Sequence, residues 1–457
     1  MADGGPTFDR QGASPGAAEV VSSTLRDGRL TVRWREGHGR RALEWEANYS
    51  LRGCTLVVDV RCSGRDATGL AFGEVAGLRE PRGIEVPYLL MGQKPGPWIA
   101  CADGLFVSVL PDWYHSDCSG IDTSVVPPRD DRISLMRGTS YQPLTDGRRN
   151  PLRERVLVTV SSEFADTLPN ARNPASPHRE RLAPHMFYMA DQLNPNLYRT
   201  LKRYGIDHVI GTDFAALLVA NHYAEGFAGR WRPHPSLTIE QVQEYRSGIK
   251  SLGYLFGTYM DITDYYPGNE HWDENCAVLG SDGDLTDGWW GNYLLKPALM
   301  PGLIRSVGQK SRETYPSDCV YLDVHTNRGP QALDFEAGAP GAGIAREQVI
   351  ANGDCIVEAR EQYGSTISEG LYRWMYAGLT DMDYATLVTE GKAAHLAPLV
   401  DFDLLKIHPL EHGTMMGHHP DRLLTSEEQA PLYADTGRGL GPESFYKYVS
   451  ASLAYGH

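Results

Sequence analysis

The sequence predicts a two-domain β plus α/β protein: an N-terminal antiparallel β-sandwich followed by a (β/α)8 barrel of TIM type. Three observations carry that prediction. From about Val20 to Ser162, apolar and polar residues alternate between Asp-Gly turn signals, without a convincing helical period. After a Pro/Asn-rich stretch at Leu168–Pro177, the chain changes to short apolar runs separated by amphipathic segments of helix length. Several of those runs end in a carboxylate, which a strand buried on both faces tolerates at its mouth but not in its middle.

At 457 residues the chain is too long for one ordinary domain and comfortable for two. The expected boundaries are a flexible N-terminus at 1–20, the sandwich at 21–167, a linker at 168–184 and the barrel at 185–457. In the sandwich, Leu25-Arg26-Asp27-Gly28-Arg29-Leu30 is a hairpin signal, and Leu30, Val32 and Trp34 alternate after it. Further strands are expected at 56–60, 105–110 and 156–160, with turns at Asp103-Gly104 and Asp146-Gly147.

In the barrel, His185 to Ala190 reads as the first strand and Asn194 to Tyr204 as a helix closed by Gly205. Ile206 to Asp213 is a second strand. Thr238-Ile239-Glu240-Gln241 is a capping box opening a helix with Val242, Tyr245 and Ile249 on one face. Tyr254 to Asp261 is the next strand, followed by a long loop, Ile262 to Lys296, carrying Asp264, Tyr265, Tyr266, Trp272, Trp289 and Trp290. Loops of that length in a compact domain are usually functional. Aromatic rings stack on the apolar faces of sugars, so this loop is a candidate cleft wall.

The stretch Cys319-Val320-Tyr321-Leu322-Asp323-Val324 is the strand around which the rest is organised, and it runs into a polar loop with His325 and Asn327. Ala345, Val349, Ile356, Ala359 and Tyr363 then recur at helical spacing, Gly364 ends the helix, and a short strand ends in Glu369. A strand–helix–strand crossover places the two strands parallel and adjacent. Leu371 to Tyr376 is a further helical segment, and Leu379 to Tyr384 and Leu399 to Ile407 are later strand ends. Phe445 to Tyr455 reads as an amphipathic helix. A barrel counted from His185 is expected to lack its last strand, with truncation at the C-terminus as the expected reason.

The net charge of −15 disfavours a nucleic-acid or anionic-membrane partner. No apolar run reaches membrane-spanning length, and Met1 to Thr7 lacks the basic and apolar regions of a secretory signal. A cytoplasmic location is therefore expected, with an incomplete start to the sequence as the alternative. Seven cysteines without CxxC pairs read as reduced thiols rather than a disulfide framework or a zinc site. His325, His408, His412 and Glu411 fit no strong metal spacing. The acidic stretch Asp282 to Asp287 lacks the glutamate that closes a calcium loop, so a solvated turn is expected there, with a structural calcium as the rival. No cofactor is expected.

Barrel active sites lie at the C-terminal mouth of the sheet. Asp323 and Glu369 would project there from neighbouring strands, and two carboxyls across a pocket are the equipment of glycoside hydrolysis. Their separation decides the outcome, about 5–5.5 Å for retention and 6.5–9.5 Å for inversion, and the sequence leaves it open. Placing two like charges close together is expected to raise one carboxyl's pKa. The plain reading of each residue stands beside the chemical one: a strand-end Asp is often a loop brace, and paired tryptophans are often core.

Tyr321-Leu322-Asp323-Val324 followed by Thr366-Ile367-Ser368-Glu369-Gly370, with Gly378-Leu379-Thr380-Asp381 beyond, resembles the endo-α-N-acetylgalactosaminidase family and the related α-N-acetylgalactosaminidases. The resemblance spans roughly residues 140–457. It implies retaining glycoside hydrolases with a β-sandwich ahead of a (β/α)8 barrel, Asp323 as nucleophile and Glu369 as acid/base. Asp213, Asp261, Trp289, Trp290, His325, Asn327 and Asp381 follow as candidate contacts to an oligosaccharide or glycoconjugate substrate. Two departures stand out. His325-Thr326 replaces the family's Trp-Gly after the nucleophile strand, and Gly370 replaces an aromatic after the glutamate. The N-acetylgalactosamine preference therefore does not transfer with the motif. Two rivals are an inactive carbohydrate-binding protein on a hydrolase scaffold and a metal-dependent hydrolase using the histidines.

Overall fold

The computed structural model describes residues 5–8, 18–37, 42–86, 89, 96–169, 173–188, 193–214, 231–233, 235–269, 272–288, 291–326, 333–370, 373–383 and 414–415. The N-terminal region is antiparallel throughout. Eight strands form its main sheet in the order Ala18–Arg26, Arg29–Glu36, Leu43–Arg52, Thr55–Cys62, Leu152–Ser161, Leu105–Pro111, Trp98–Ala102, Arg82–Glu85. The expected Asp-Gly turns form, with Asp27 and Gly28 at φ 49° and 73° and Asp103 and Gly104 at φ 53° and 75°, the doubly left-handed pattern that a two-residue hairpin loop needs. A four-stranded sheet shares one apolar cluster with the main sheet: Phe8, Ala67 and Leu70 meet Val58, Val60, Val107 and Val156. Part of the stretch expected to be flexible is ordered. Gly5–Phe8 pairs with Ala67–Ala71, because Phe8 has that cluster to enter.

The second region is a parallel sheet of seven described strands, β1 (Met186–Tyr188), β2 (Val209–Thr212), β3 (Leu255–Met260), β4 (Cys319–Thr326), β5 (Ser365–Gly370), β6 (Met382–Asp383) and β7 (Thr414–Met415). They pair in chain order, each parallel to the next. Sequential parallel neighbours are what helical crossovers produce. Among the described residues four helices span the first four crossovers: α1 (Pro195–Arg203), α2 (Ile239–Lys250), α3 (Met300–Thr314) and α4 (Ala345–Tyr363). Asn194 caps α1 through the Asn196 N–H at 3.0 Å. Thr238 and Gln241 close the expected capping box on α2 at 3.3 and 2.8 Å. Gly364, at φ 91°, ends α4 and turns the chain straight into β5.

Strand period two sorts the sheet's side chains. Val320 and Leu322 face α3 and α4, where they join Met300, Ile304, Val307, Ile356 and Ala359. Cys319 and Tyr321 face the other way, onto Ile210, Tyr259, Ile367, Met382 and Leu182. The sheet curls around this second cluster as a half-barrel. Among the described residues no pairing joins β1 to β7; these residues form a curled half-barrel sheet, and the complete (β/α)8 barrel expected from the sequence is not shown by them. The expected strand at Leu399 to Ile407 and helix at Phe445 to Tyr455 lie outside the described residues.

The two regions are stitched together. Ile84, Ile99 and Trp113 enter the cluster beneath α3 and α4. The α4 N-terminus meets the antiparallel region through the Ala345 N–H to the Cys118 carbonyl at 2.8 Å and Arg346 to Asp117 at 2.6 Å. The segment read as a linker is no free tether either. The Asn173 amide donates to the Ala377 carbonyl, and Leu182 is buried beneath the half-barrel.

Candidate active site

Four carboxylates stand at the C-terminal ends of four adjacent strands: Asp213 after β2, Asp261 after β3, Asp323 near the end of β4 and Glu369 near the end of β5. Asp323 and Glu369 are half-exposed there, whereas Asp213 and Asp261 are buried.

The β4–β5 pairing brings the first two together. Tyr321 is level with Ile367 and Leu322 with Ser368, after which the register slips and Thr326 rejoins at Gly370. Val324 sits in that bulge at φ 47°, a region a β-branched residue rarely adopts. Its N–H donates to Glu369 Oε2 at 3.2 Å. Glu369 therefore lies beside the peptide that follows Asp323.

Asp323 is held by two phenols. The Tyr321 hydroxyl donates to its Oδ1 at 2.9 Å, and the Tyr259 hydroxyl donates to Oδ2. Burial, then the Asp323 carboxylate and further the charges of Asp261 and Glu369, push the Tyr259 hydroxyl well above the usual phenol range. Tyr259 therefore remains a proton donor. Sequence reasoning did not single out either tyrosine as a site residue. A signal was available: Tyr259-Met260-Asp261 and Tyr321-Leu322-Asp323 each place a tyrosine two residues before a strand-end aspartate, hence on the same face.

The other expected contacts divide. Asp213 Oδ1 accepts the Tyr259 N–H at 2.6 Å, and burial raises its carboxyl to about 7. Asp261 Oδ1 accepts from the Thr263 N–H, the Thr263 hydroxyl and the Asp264 N–H at 2.9, 3.0 and 3.0 Å, bracing the loop after β3. Two residues expected at the mouth lie elsewhere. The Val324 bulge turns His325 toward α4, where it is fully buried with Nε2 2.9 Å from the Asn352 carbonyl oxygen. Asp381 precedes β6 instead of ending a strand, and accepts from the Thr366 N–H and hydroxyl at 2.6 and 3.1 Å and from the His178 N–H at 3.2 Å. Thr366 stands three residues before Glu369, about 10 Å back along the sheet, so Asp381 is a brace at the opposite end. Trp289, Trp290 and Asn327 lie outside the described residues.

Among the described aromatics of the long loop, Tyr265 and Tyr266 are buried and Trp272 and Tyr293 are partly buried. Tyr265 is buried, Trp272 packs on it with ring centroids 4.7 Å apart, and Tyr293 follows at 5.7 Å. Tyr265 is thus a core residue, whereas Trp272 stays partly exposed. In the acidic stretch, Asp282 accepts the Asp284 N–H at 3.1 Å, a local turn. Among the described residues no three metal-ligating side chains cluster, and no helix is long and apolar enough to cross a membrane. His408, Glu411 and His412 lie outside them.

No family model and no curated protein matches the chain. Among solved structures it is similar to the α-N-acetylgalactosaminidase NagBb from Bifidobacterium bifidum in its GalNAc complex. The TM-score is 0.66 at 13% identity, over 87% of this chain and 76% of that one. Ligand-free NagBb aligns at 0.61 with 15% identity, over 89% and 79%. A variant of the α-galactosidase AgaA from Geobacillus stearothermophilus in complex with stachyose aligns at 0.50 with 10% identity, over 98% and 71%. At such identities the likeness is one of fold: this chain shares the architecture of an antiparallel region joined to a parallel α/β sheet with those structures.

Proposed function

We propose that the chain is a retaining glycoside hydrolase acting on an α-linked galacto-configured or N-acetylhexosamine-containing glycan, with Asp323 as nucleophile and Glu369 as acid/base. The observation that carries this is the convergence of the two carboxylates from adjacent strands at the sheet's C-terminal mouth, where active sites of this fold class are built. The substrate class draws further support from the fold neighbours, which are named as an α-N-acetylgalactosaminidase and an α-galactosidase.

In the first half-reaction an Asp323 oxygen bonds to the anomeric carbon as the glycosidic C–O bond breaks, and the departing oxygen takes the Glu369 proton. In the second, water gives a proton to Glu369 and its oxygen to the anomeric carbon. The bond from that carbon to Asp323 breaks as the new one forms, leaving Asp323 ionised and Glu369 protonated as at the start.

The test is hydrolysis of aryl α- and β-glycosides by wild type, Asp323→Ala and Glu369→Ala, each with and without azide. Wild-type turnover of an α-glycoside is expected to be lost in both variants. Azide should restore product as the β-azide with Asp323→Ala and as the α-azide with Glu369→Ala. Wild-type rates in both variants would overturn the assignment.

A further inference from the structure

Tyr259 and Tyr321 form a rigid donor pair on one carboxylate. Register places them level on β3 and β4, and their rings stack with centroids 5.5 Å apart and planes 28° apart. Phe187 stacks on Tyr321 at 5.1 Å, and Phe214 meets Tyr259 edge-on at 4.8 Å. Both tyrosines are buried, so neither ring can swing its hydroxyl away. Asp213 pins the Tyr259 backbone from behind. Each hydroxyl takes a different oxygen of Asp323.

We propose that Tyr259 and Tyr321 act on the Asp323 leaving group: their two hydroxyls receive the charge that returns to the carboxylate when the glycosyl-enzyme is hydrolysed. This rests on the reading of Asp323 as nucleophile. In the covalent intermediate Asp323 is a neutral ester, and a hydrogen bond to a neutral acceptor is weak. As water attacks the anomeric carbon, the bonding pair of the ester returns to the carboxylate, and both oxygens become strong acceptors. A donor already aimed at each oxygen stabilises that step more than the ester before it. The pair also holds the carboxylate in one rotamer through both half-reactions.

The consequence is a specific kinetic signature. A hydrogen bond to a charged group is worth about 1.5–3 kcal/mol, so each Tyr→Phe change is expected to slow deglycosylation by roughly 10- to 150-fold. With an activated aryl glycoside, kcat and KM then fall together, kcat/KM is nearly held, and a pre-steady-state burst of aryl leaving group appears. A purely structural loss would instead lower kcat/KM without a burst. Phenylalanine preserves the ring stack. In addition, 3-fluorotyrosine at position 259 keeps the ring and makes a stronger donor, so it is expected to leave kcat at or above the wild-type value.

The experiment is stopped-flow and steady-state kinetics of wild type, Asp323→Ala, Tyr259→Phe, Tyr321→Phe and the 3-fluorotyrosine protein on one aryl α-glycoside. A burst with matched falls in kcat and KM in the Phe variants supports the proposal. Unchanged kcat, or a fall in kcat/KM without a burst, overturns it while the nucleophile assignment stands. Full activity in Asp323→Ala overturns both, and absence of wild-type turnover on the glycoside panel does the same.

Discussion

The N–H of Val324 reaches the Glu369 carboxylate at 3.2 Å from a left-handed backbone conformation, φ 47°. The β4 bulge that creates this conformation joins the peptide after one proposed catalytic carboxylate to the side chain of the other. It also reverses the face taken by the residue that follows, sending His325 into α4.

A strained β-branched residue costs about 1–3 kcal/mol, and glycine adopts the same φ freely at an entropic cost of about 0.5–1 kcal/mol. With the half-buried valine side chain also lost, Val324→Gly is expected to stay within about 1 kcal/mol of wild-type stability, with kcat within a few-fold. Val324→Pro removes the N–H and cannot take this φ, so kcat is expected to drop at least about tenfold if the bond positions Glu369. Denaturant unfolding and steady-state rates check both. Equal activity in the two variants would mean the bond does not matter.

Glu154, buried in the antiparallel region, accepts from the Tyr141 hydroxyl at 2.7 Å. Burial raises its carboxyl from 4.5 to about 7. Between those values the folded chain binds more protons than the unfolded chain, so this group's contribution falls as pH rises from 4.5 through about 7. Glu154→Gln keeps an acceptor for Tyr141 and cannot ionise. Its melting temperature relative to wild type is expected to be higher at pH 8 than at pH 5, and a difference independent of pH would contradict the buried-acid account.

His325 gives the opposite slope. Burial depresses its imidazole from 6.5 to about 4, so between these values the unfolded chain binds the extra proton. Its contribution is present above pH 6.5 and is lost as pH falls through about 4. His325→Gln is expected to flatten the acid side of the stability profile while leaving KM near the wild-type value, since the ring faces α4. A large rise in KM would return His325 to the substrate pocket.

Much of the fold was legible because its signals are local. Apolar alternation between Asp-Gly turns marked the antiparallel strands. The Thr238–Gln241 capping box and Gly364 marked helix ends, and the strand–helix–strand spacing marked β4 and β5 as neighbours. Asp323 and Glu369 stood out because a carboxylate ending an apolar run is costly anywhere except a strand mouth. Asp381 followed a similar-looking apolar stretch, yet it stands just before a strand. Its partners Thr366 and His178 lie 15 and 203 residues away in the chain, and no local pattern reports them.

The sequence by itself determined the antiparallel region, the parallel α/β order of the second region and the adjacency of the two central carboxylates, since turn chemistry, periodicity and crossover topology are short-range properties. The tertiary structure alone decided which side chains meet at the mouth. A bulge one residue wide turned His325 away, Tyr265 entered the core with the partly buried Trp272 and Tyr293 packed against it, and strand register set Tyr259 level with Tyr321 beneath Asp323. Each is a long-range steric outcome, where a shift of one residue exchanges the two faces of a strand.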